Sequence, residues 1–451
     1  MNNVKIVICI LILIAARSNA QNPIITHVFT ADPTARVFNG KLYVYPSSDT
    51  IPPVGREKEF PRFCMPGYHV FSLENGNTWK DHGRILNSYQ VPWGKKGSYT
   101  MWAPDCVEKN GKYYYYFPAE PHDRKWHKIG VGVSDSPTGP FRWEKKPIEG
   151  LDGIDPGVLI DDDGETYMYW AEGKVAKLND DMKSLKTQPR HIEGLPVGYK
   201  EAMFPFKRKG IYYLTFAHGF HHEGYTIGYA KSENPFGPFR YMGKIMDNIG
   251  KGTNHHSIVK YQNQWILFYH NWAISGTNKL RSICADYLAF NDEAPSYNRD
   301  SKGSINKVIP TLRGIGTPRI KDTIQIDRYN EIHNCKTQFV GGNEPIGWMV
   351  CDAKNNGWIR FNRVDFTKAK TVEARVACGQ RFGTFEIRLD TFDGVKIAEF
   401  ENKYTGGWNK WRTLKTDLTR KIVGVHDIFI TFKTQDGNTK GANINWLLLS
   451  D

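Results

Sequence analysis

One pattern of polar and apolar positions recurs five times in the first 300 residues. A turn pair leads into a short run dense in aromatic and β-branched residues. The runs are KLYVYPSSD from Lys41, KYYYYFPAE from Lys112, ETYMYWAEG from Glu165, IYYLTFAHG from Ile211 and WILFYHNW from Trp265. Such residues pack well on a pleated, half-buried surface, so each run predicts a β-strand. The preceding turns are Asn39-Gly40, Asn110-Gly111, Asp163-Gly164, Lys209-Gly210 and Asn263-Gln264. The first three carry strong hairpin chemistry and the last two weaker chemistry. Measured between Tyr43, Tyr114, Tyr167, Tyr213 and Leu267, the intervals are 71, 53, 46 and 54 residues. A β-unit recurring about every 50 residues predicts propeller blades, here five. The same strand density would also suit an irregular β-sandwich.

The polar residues ahead of each hairpin share a position. Asp32 lies eight residues before Gly40, Asp155 nine before Gly164 and Glu201 nine before Gly210. Asp105 lies six before Gly111, and His255 eight before Asn263. Equivalent positions on successive blades converge on one axis, so three carboxylates from three units would face one ligand.

The pattern changes around residues 311–322. Beyond it, WIRFNRVDF, TVEARVA, FEIRLD, DIFITFK and INWLLLS predict short strands with turns between them, as in a β-sandwich or jelly roll. The expected division is a leader over 1–20, an all-β five-bladed β-propeller over 21–316, a linker over 317–322 and a β-sandwich over 323–451.

Length and composition fit that plan. A chain of 451 residues has room for two or three domains. With 24% charged and 40% hydrophobic residues it is neither disordered nor collagen-like. Residues 6–16 form a single apolar run, too short to span a bilayer. Lys5 before it and Ser18-Asn19-Ala20 after it read as an export signal, so a periplasmic or secreted protein without a membrane anchor is expected. The net charge of +13 would suit an acidic polymer or nucleic acid. However, the basic residues are scattered among acids and no nucleic-acid motif is present, so no nucleic-acid partner is expected. Cys64, Cys106, Cys284, Cys335, Cys351 and Cys378 show no CxxC or zinc spacing, and their pairing is open.

Acids gathered in one pocket can bind a metal, hold a cation or exchange protons. Asp161, Asp162 and Asp163 precede a turn glycine and read as a solvated turn. Glu201 differs, standing in KEAMFPF between apolar residues. Apolar surroundings and a neighbouring ionised acid both raise a carboxyl pKa. A protonated Glu201 facing an ionised Asp32 is the arrangement that glycoside hydrolysis needs.

ADPTARVFNGKLYVYPSSD, MWAPDCVEKNGKYYYY, GIDPGVLIDDDGETYMYW, YKEAMFPFKRKGIYYLTFA and GTNHHSIV resemble, in order, the motifs of glycoside hydrolase family 43. The resemblance covers about Asn22 to Gly316. It implies a five-bladed propeller that hydrolyses α-L-arabinofuranosides or β-D-xylosides with inversion and needs no cofactor for the chemistry. By the motifs, Asp32 would be general base and Glu201 general acid, and Asp155 would raise the pKa of Glu201 and orient it. Trp102 and Asp105 would shape the sugar pocket, and Arg281 would hold sugar hydroxyls. His255 would face a structural calcium or water site; Asn254 stands where the family often has glycine, which leaves His256 as an alternative.

The C-terminal segments IGWMVCDAKNNGWIRFNRVDF, FEIRLDTFDG, TGGWNKW, GVHDIFITF and NINWLLL resemble a family 6 carbohydrate-binding module. That resemblance implies a sugar held between Trp348 and Trp408 with Asn443 nearby, since ring faces stack on the apolar face of a pyranose. Core packing of the two tryptophans is the alternative.

The resulting expectation is an exported exo-glycosidase acting on plant cell-wall polysaccharide or oligosaccharide. It leans toward α-L-arabinofuranosidase over β-D-xylosidase, and specificity is expected in the loops Ile51 to Pro66 and His218 to Tyr225. A non-catalytic sugar-binding propeller is the competing reading, and the presence of all three acids weighs against it.

Overall fold

The computed structural model describes residues 22–451 apart from 75–77, 124–125, 172, 294–301, 342–346, 381–382 and 435–439. The leader expected over 1–20 lies outside the described residues. Among the described residues the regular structure is β, apart from one short 3-10 turn at Glu57–Glu59. No described helix is long and apolar enough to cross a membrane.

Among the described residues, five antiparallel sheets follow one another up to Leu288. Four have four strands each and the last has three. Their first strands are Thr30–Phe38, Asp105–Lys109, Gly157–Ile160, Tyr199–Arg208 and Ser257–Tyr261. Each touches the next, and the fifth touches the first. The aromatic runs form the second strand of every sheet, where their side chains pack between neighbouring sheets. Tyr45, Tyr68, Tyr115 and Phe117 join the first two sheets, and Phe206, Tyr213 and Tyr269 join the last two. Asn22 stitches the start of the described chain to the fifth sheet: its side-chain amide donates to the Ala285 carbonyl and the Asp286 carboxylate, while its Oδ1 accepts from the Ala285 N–H.

The turns follow local chemistry, with two departures from expectation. Asn39-Gly40, Asn110-Gly111 and Lys209-Gly210 each hold two residues at positive φ, as a right-twisting two-residue hairpin requires. The fifth turn is shifted one residue, to Gln262-Asn263. Asp161 is not the solvated residue expected, because it is buried and accepts from Tyr212 Oη and Lys207 Nζ, each at 2.5 Å. It ties the third sheet to the fourth.

Residues 323–451 form two facing sheets of six and five strands around a separate apolar core, which includes Ile359, Phe361, Phe385, Ile430 and Leu447. This is a β-sandwich. It is fastened to the first domain by Arg328, whose guanidinium donates to the Asn22 carbonyl at 3.0 Å, and by Arg313, which donates to the Asn362 carbonyl at 3.2 Å. All six described cysteines are free.

Candidate active site

Local irregularity, not regular strand, presents the three acids. Asp32 has φ +51°, and the pairing of its strand shifts register between Ala31 and Thr34. Glu201 lies between two register shifts and is followed by Ala202 at φ +62°. Asp155 has φ +57°, two residues before its strand begins. A bulge re-aims a side chain that regular pleating would send to a sheet face. A non-glycine residue at positive φ costs on the order of 1 kcal/mol and persists only where its surroundings hold it. Here they do. The Asp32 N–H donates to His270 Nδ1 at 3.2 Å, and His270 Nε2 donates to the Thr253 carbonyl at 3.0 Å.

Asp32, Asp155 and Glu201 line one cleft of about 470 Å³, including its open mouth. Trp102, Arg281 and His255 line it too. The shared position ahead of each hairpin therefore converges for four of the five sheets. The second sheet explains the exception. Its residue nine before Gly111 is Trp102, while Asp105, only six before, lies farther along the strand.

Asp105 does not line the cleft. It is fully buried and accepts two bonds from Arg36, at 3.0 and 2.5 Å, and one from the Val158 N–H at 2.7 Å. Arg36 also donates to the Val158 carbonyl at 3.0 Å and stacks over Phe204, 4.7 Å from the ring centroid. Asp105 thus belongs to a knot joining the first four sheets, not to the sugar pocket expected for it. Trp102 stacks on His127 with centroids 4.3 Å apart.

Arg281 is 1% exposed and its guanidinium is committed. Nε and Nη2 donate to Asp49 at 2.8 and 2.9 Å, and Nη1 donates to Asp32 at 3.1 Å and Thr253 at 3.3 Å. Its expected role of holding sugar hydroxyls gives way to holding the Asp32 carboxylate. Asp49 also accepts the Arg281 N–H at 2.8 Å. Sequence reading overlooked Asp49 and His270 as site residues, although Asp49 ends the recurring run KLYVYPSSD and His270 lies near the end of WILFYHNW. Arg62 and Phe63, also at the cleft, fall within the loop expected to carry specificity.

These contacts split the protonation states. Burial alone would raise the Asp32 pKa, but the Arg281 charge, the neighbouring imidazoles and a 2.5 Å bond from Ser47 Oγ bring it below the ordinary value. Burial lowers His255 to about 4 and His270 to about 3, so both imidazoles are neutral near pH 7 and Arg281 is the charged partner of Asp32. Glu201 moves the other way. Burial and then the Asp32 charge lift it to about 7, against the opposing charges of Arg62, Arg281 and Lys200. Asp155 is raised well above the carboxylate range by burial and by Glu201, and it accepts the Ala202 N–H at 2.9 Å. Asp155 and Glu201 thus repel each other's charge, and Asp155 also fixes the peptide that follows Glu201.

His255 lines the cleft, whereas His256 is fully buried and bonds Thr215 Oγ1 at 2.7 Å. Among the described residues no three His, Cys, Asp or Glu side chains gather as a cation would need. Calcium takes six to eight oxygen ligands, and His255 instead faces one carboxylate and a guanidinium. Any calcium held there would have to take most of its oxygen ligands from water.

The sandwich presents its aromatic pair differently. Trp348 is 44% and Trp408 37% exposed, so neither is a core residue. Trp408 packs on Gly379, where any Cβ would collide with the indole. Asn443 is buried, and its amide donates to the Trp408 carbonyl at 2.8 Å; Asn445 donates to the Trp348 carbonyl at 2.7 Å. Asn443 therefore positions Trp408 through its backbone.

Known proteins match both halves. Residues 20–295 match the family Glycosyl hydrolases family 43, and residues 326–451 match Carbohydrate binding module (family 6). Xylosidase/arabinosidase 43A of Humicola insolens is 37% identical over 313 residues, 58% of this chain and 94% of the relative. A β-xylosidase/α-arabinofuranosidase structure from a compost microbial metagenome, in complex with xylotriose, aligns with a TM-score of 0.58 at 35% identity, covering 65% of this chain and 98% of that one. An arabinoxylan arabinofuranohydrolase structure from Bacillus subtilis, in complex with cellotetraose, aligns with a TM-score of 0.54 at 26% identity, covering 95% of this chain and 97% of that one.

Proposed function

The chain belongs to glycosyl hydrolases family 43, carries a C-terminal family 6 carbohydrate-binding module, and is a glycoside hydrolase of arabinofuranosidase or xylosidase type; within that class we propose an exo-acting, inverting α-L-arabinofuranosidase that trims plant cell-wall polysaccharide. The five consecutive sheets are read as propeller blades, supported by the cyclic contacts of their first strands. The observation that carries the chemistry is the opposed protonation of two acids in one cleft: Asp32 held ionised by Arg281, and Glu201 held protonated up to about pH 7.

In this mechanism Glu201 donates its proton to the departing glycosidic oxygen. Asp32 takes a proton from a water that attacks the anomeric carbon from the opposite face. Inversion requires room for that water, hence a carboxyl separation of roughly 6.5–9.5 Å. Asp155 fixes the Ala202 peptide and with it the aim of Glu201. The lean toward the arabinofuranoside rests on the Bacillus subtilis arabinofuranohydrolase, whose likeness spans both halves of this chain. The β-xyloside is the second reading, because both likenesses over the first domain are to proteins named for xylosidase as well as arabinosidase activity. An export leader over 1–20 would deliver the enzyme to the periplasm or the medium.

Turnover of matched aryl α-L-arabinofuranoside and β-D-xyloside separates the two substrates. Proton NMR of the first-formed anomer reports the stereochemistry. A tenfold or greater preference for the arabinofuranoside with an inverted product is expected. A xyloside preference would reverse the substrate reading, and a retained anomer would contradict the mechanism.

A further inference from the structure

Two arginines line the catalytic cleft, and only one is committed. Arg281 spends its guanidinium on Asp49, Asp32 and Thr253. Arg62 is exposed and makes no hydrogen bond or ion pair to a carboxylate among the described residues. Its loop neighbour Arg56, by contrast, is clamped to Glu59 by two bonds at 2.9 and 2.8 Å. Arg62 lines the same cleft as the general acid Glu201, and its charge opposes the lift of that carboxyl. Lys200, next to Glu201 in the chain, adds a second exposed cation, 5.4 Å from the centroid of the Phe220 ring.

The acids of the cleft do not neutralise this side. Asp32 already pairs with Arg281, and burial disfavours ionisation of both Asp155 and Glu201. A neutral sugar hydroxyl would engage one N–H of a guanidinium. A carboxylate matches its planar fork with two parallel charge-assisted bonds. Glu201 protonates the leaving oxygen, so an exposed cation at the same cleft is in reach of the leaving-group chain.

We propose that Arg62, assisted by Lys200, forms a subsite for a carboxylate-bearing sugar on the leaving-group side, so that the enzyme favours uronate-substituted polysaccharide over its neutral counterpart. This rests on the reading of the cleft as the glycosidase site.

The test uses the full chain and two oligosaccharides with the same cleavable sugar, one carrying a uronic acid on the adjoining leaving-group residue and one neutral there. Wild type is expected to favour the acidic substrate by about tenfold in kcat/KM, mainly through KM. The preference should shrink as salt rises toward 1 M, because the contact is solvent-exposed. Arg62→Gln should abolish the preference and Arg62→Lys should keep part of it. Thermal melts verify that each variant is folded. A wild type that cleaves both substrates equally overturns the subsite while leaving the glycosidase reading intact. So does an Arg62→Gln variant that slows both by the same factor, which would mean a contact to neutral hydroxyls. A wild type inactive on both oligosaccharides and on aryl glycosides overturns the parent reading and this one with it.

Discussion

The two halves of the molecule handle polar chemistry in opposite ways. The first domain buries charge: Asp32, Asp49, Asp105, Asp155, Arg281 and Asp286 are all nearly inaccessible. The sandwich encloses an apolar cluster of Ile, Val, Phe, Leu and Ala. Its buried acids Asp327 and Glu386 pair with the partly exposed Arg328 and Arg388, and its large aromatic rings Trp348 and Trp408 stand in solvent. Catalysis by acid and base needs desolvation, because only there can neighbouring carboxyls hold different protonation states at one pH. Stacking on a sugar needs an exposed, rigid ring, and burial would defeat it. A change in the first domain should therefore damage chemistry and stability together, and a change at the sandwich tryptophans should damage neither.

The largest expected effect is at Asp32. Asp32→Ala removes the general base and should lower kcat by about 10²–10⁴-fold while polymer retention on affinity gels is unchanged. If retention falls as far as turnover, the two halves are not separable. Next comes Asp49, which nothing in the chemistry requires directly. Asp49→Asn removes one of the two carboxylates that pair with the buried Arg281, and breaking a buried pair costs about 3–5 kcal/mol in urea unfolding. Trp408→Ala, at a partly exposed ring, should cost far less in the same assay.

How legible this contrast was in the sequence depends on which residues are asked about. The aromatic runs exposed the recurring sheet, and the common offset ahead of each hairpin brought Asp32, Asp155, Glu201 and His255 to one cleft. Asp105 failed that rule because three residues along a strand is about 10 Å, far enough to leave the cleft and meet Arg36 deeper in the domain. Asp49 and Arg281 could not be joined from sequence, being 232 residues apart and paired only by closure of the fifth sheet against the first. Asn443 donates to the Trp408 carbonyl from 35 residues away, a partner that its chain position does not show. Strand spacing is readable in sequence, whereas the partner of a buried charge is a long-range fact.

A smaller effect sharpens the binding side. Trp348→Ala and Trp408→Ala should each weaken retention on arabinoxylan about fivefold, since one stacked ring is worth on the order of 1 kcal/mol. Turnover of an aryl glycoside should not change. Equal retention in both variants would make the module a buttress.

The smallest effect concerns stability against pH. Burial lifts Asp286 from 3.8 to about 6, despite bonds from Thr311, Tyr269 and Asn22. The folded state keeps that proton through the window from about 4 to about 6, so its contribution is full below pH 4 and lost as pH rises through 6. The unfolding free energy of wild type minus that of Asp286→Asn should fall across that window by on the order of 1–3 kcal/mol. A constant gap would place the carboxyl's titration elsewhere.

The division of labour between Asp32 and Glu201 is tested most directly by Glu201→Gln on aryl glycosides of graded leaving-group acidity, read at the pH of maximal activity. In wild type, activity should fall as pH rises through about 7, where Glu201 loses the proton it must donate. In the variant that limb should vanish, kcat/KM should fall by about 10²–10⁴-fold for a poor leaving group, and the loss should shrink to about tenfold or less for a strongly acidic phenol that departs without protonation. Equal losses across the series, or a surviving limb near pH 7, would contradict Glu201 as the general acid.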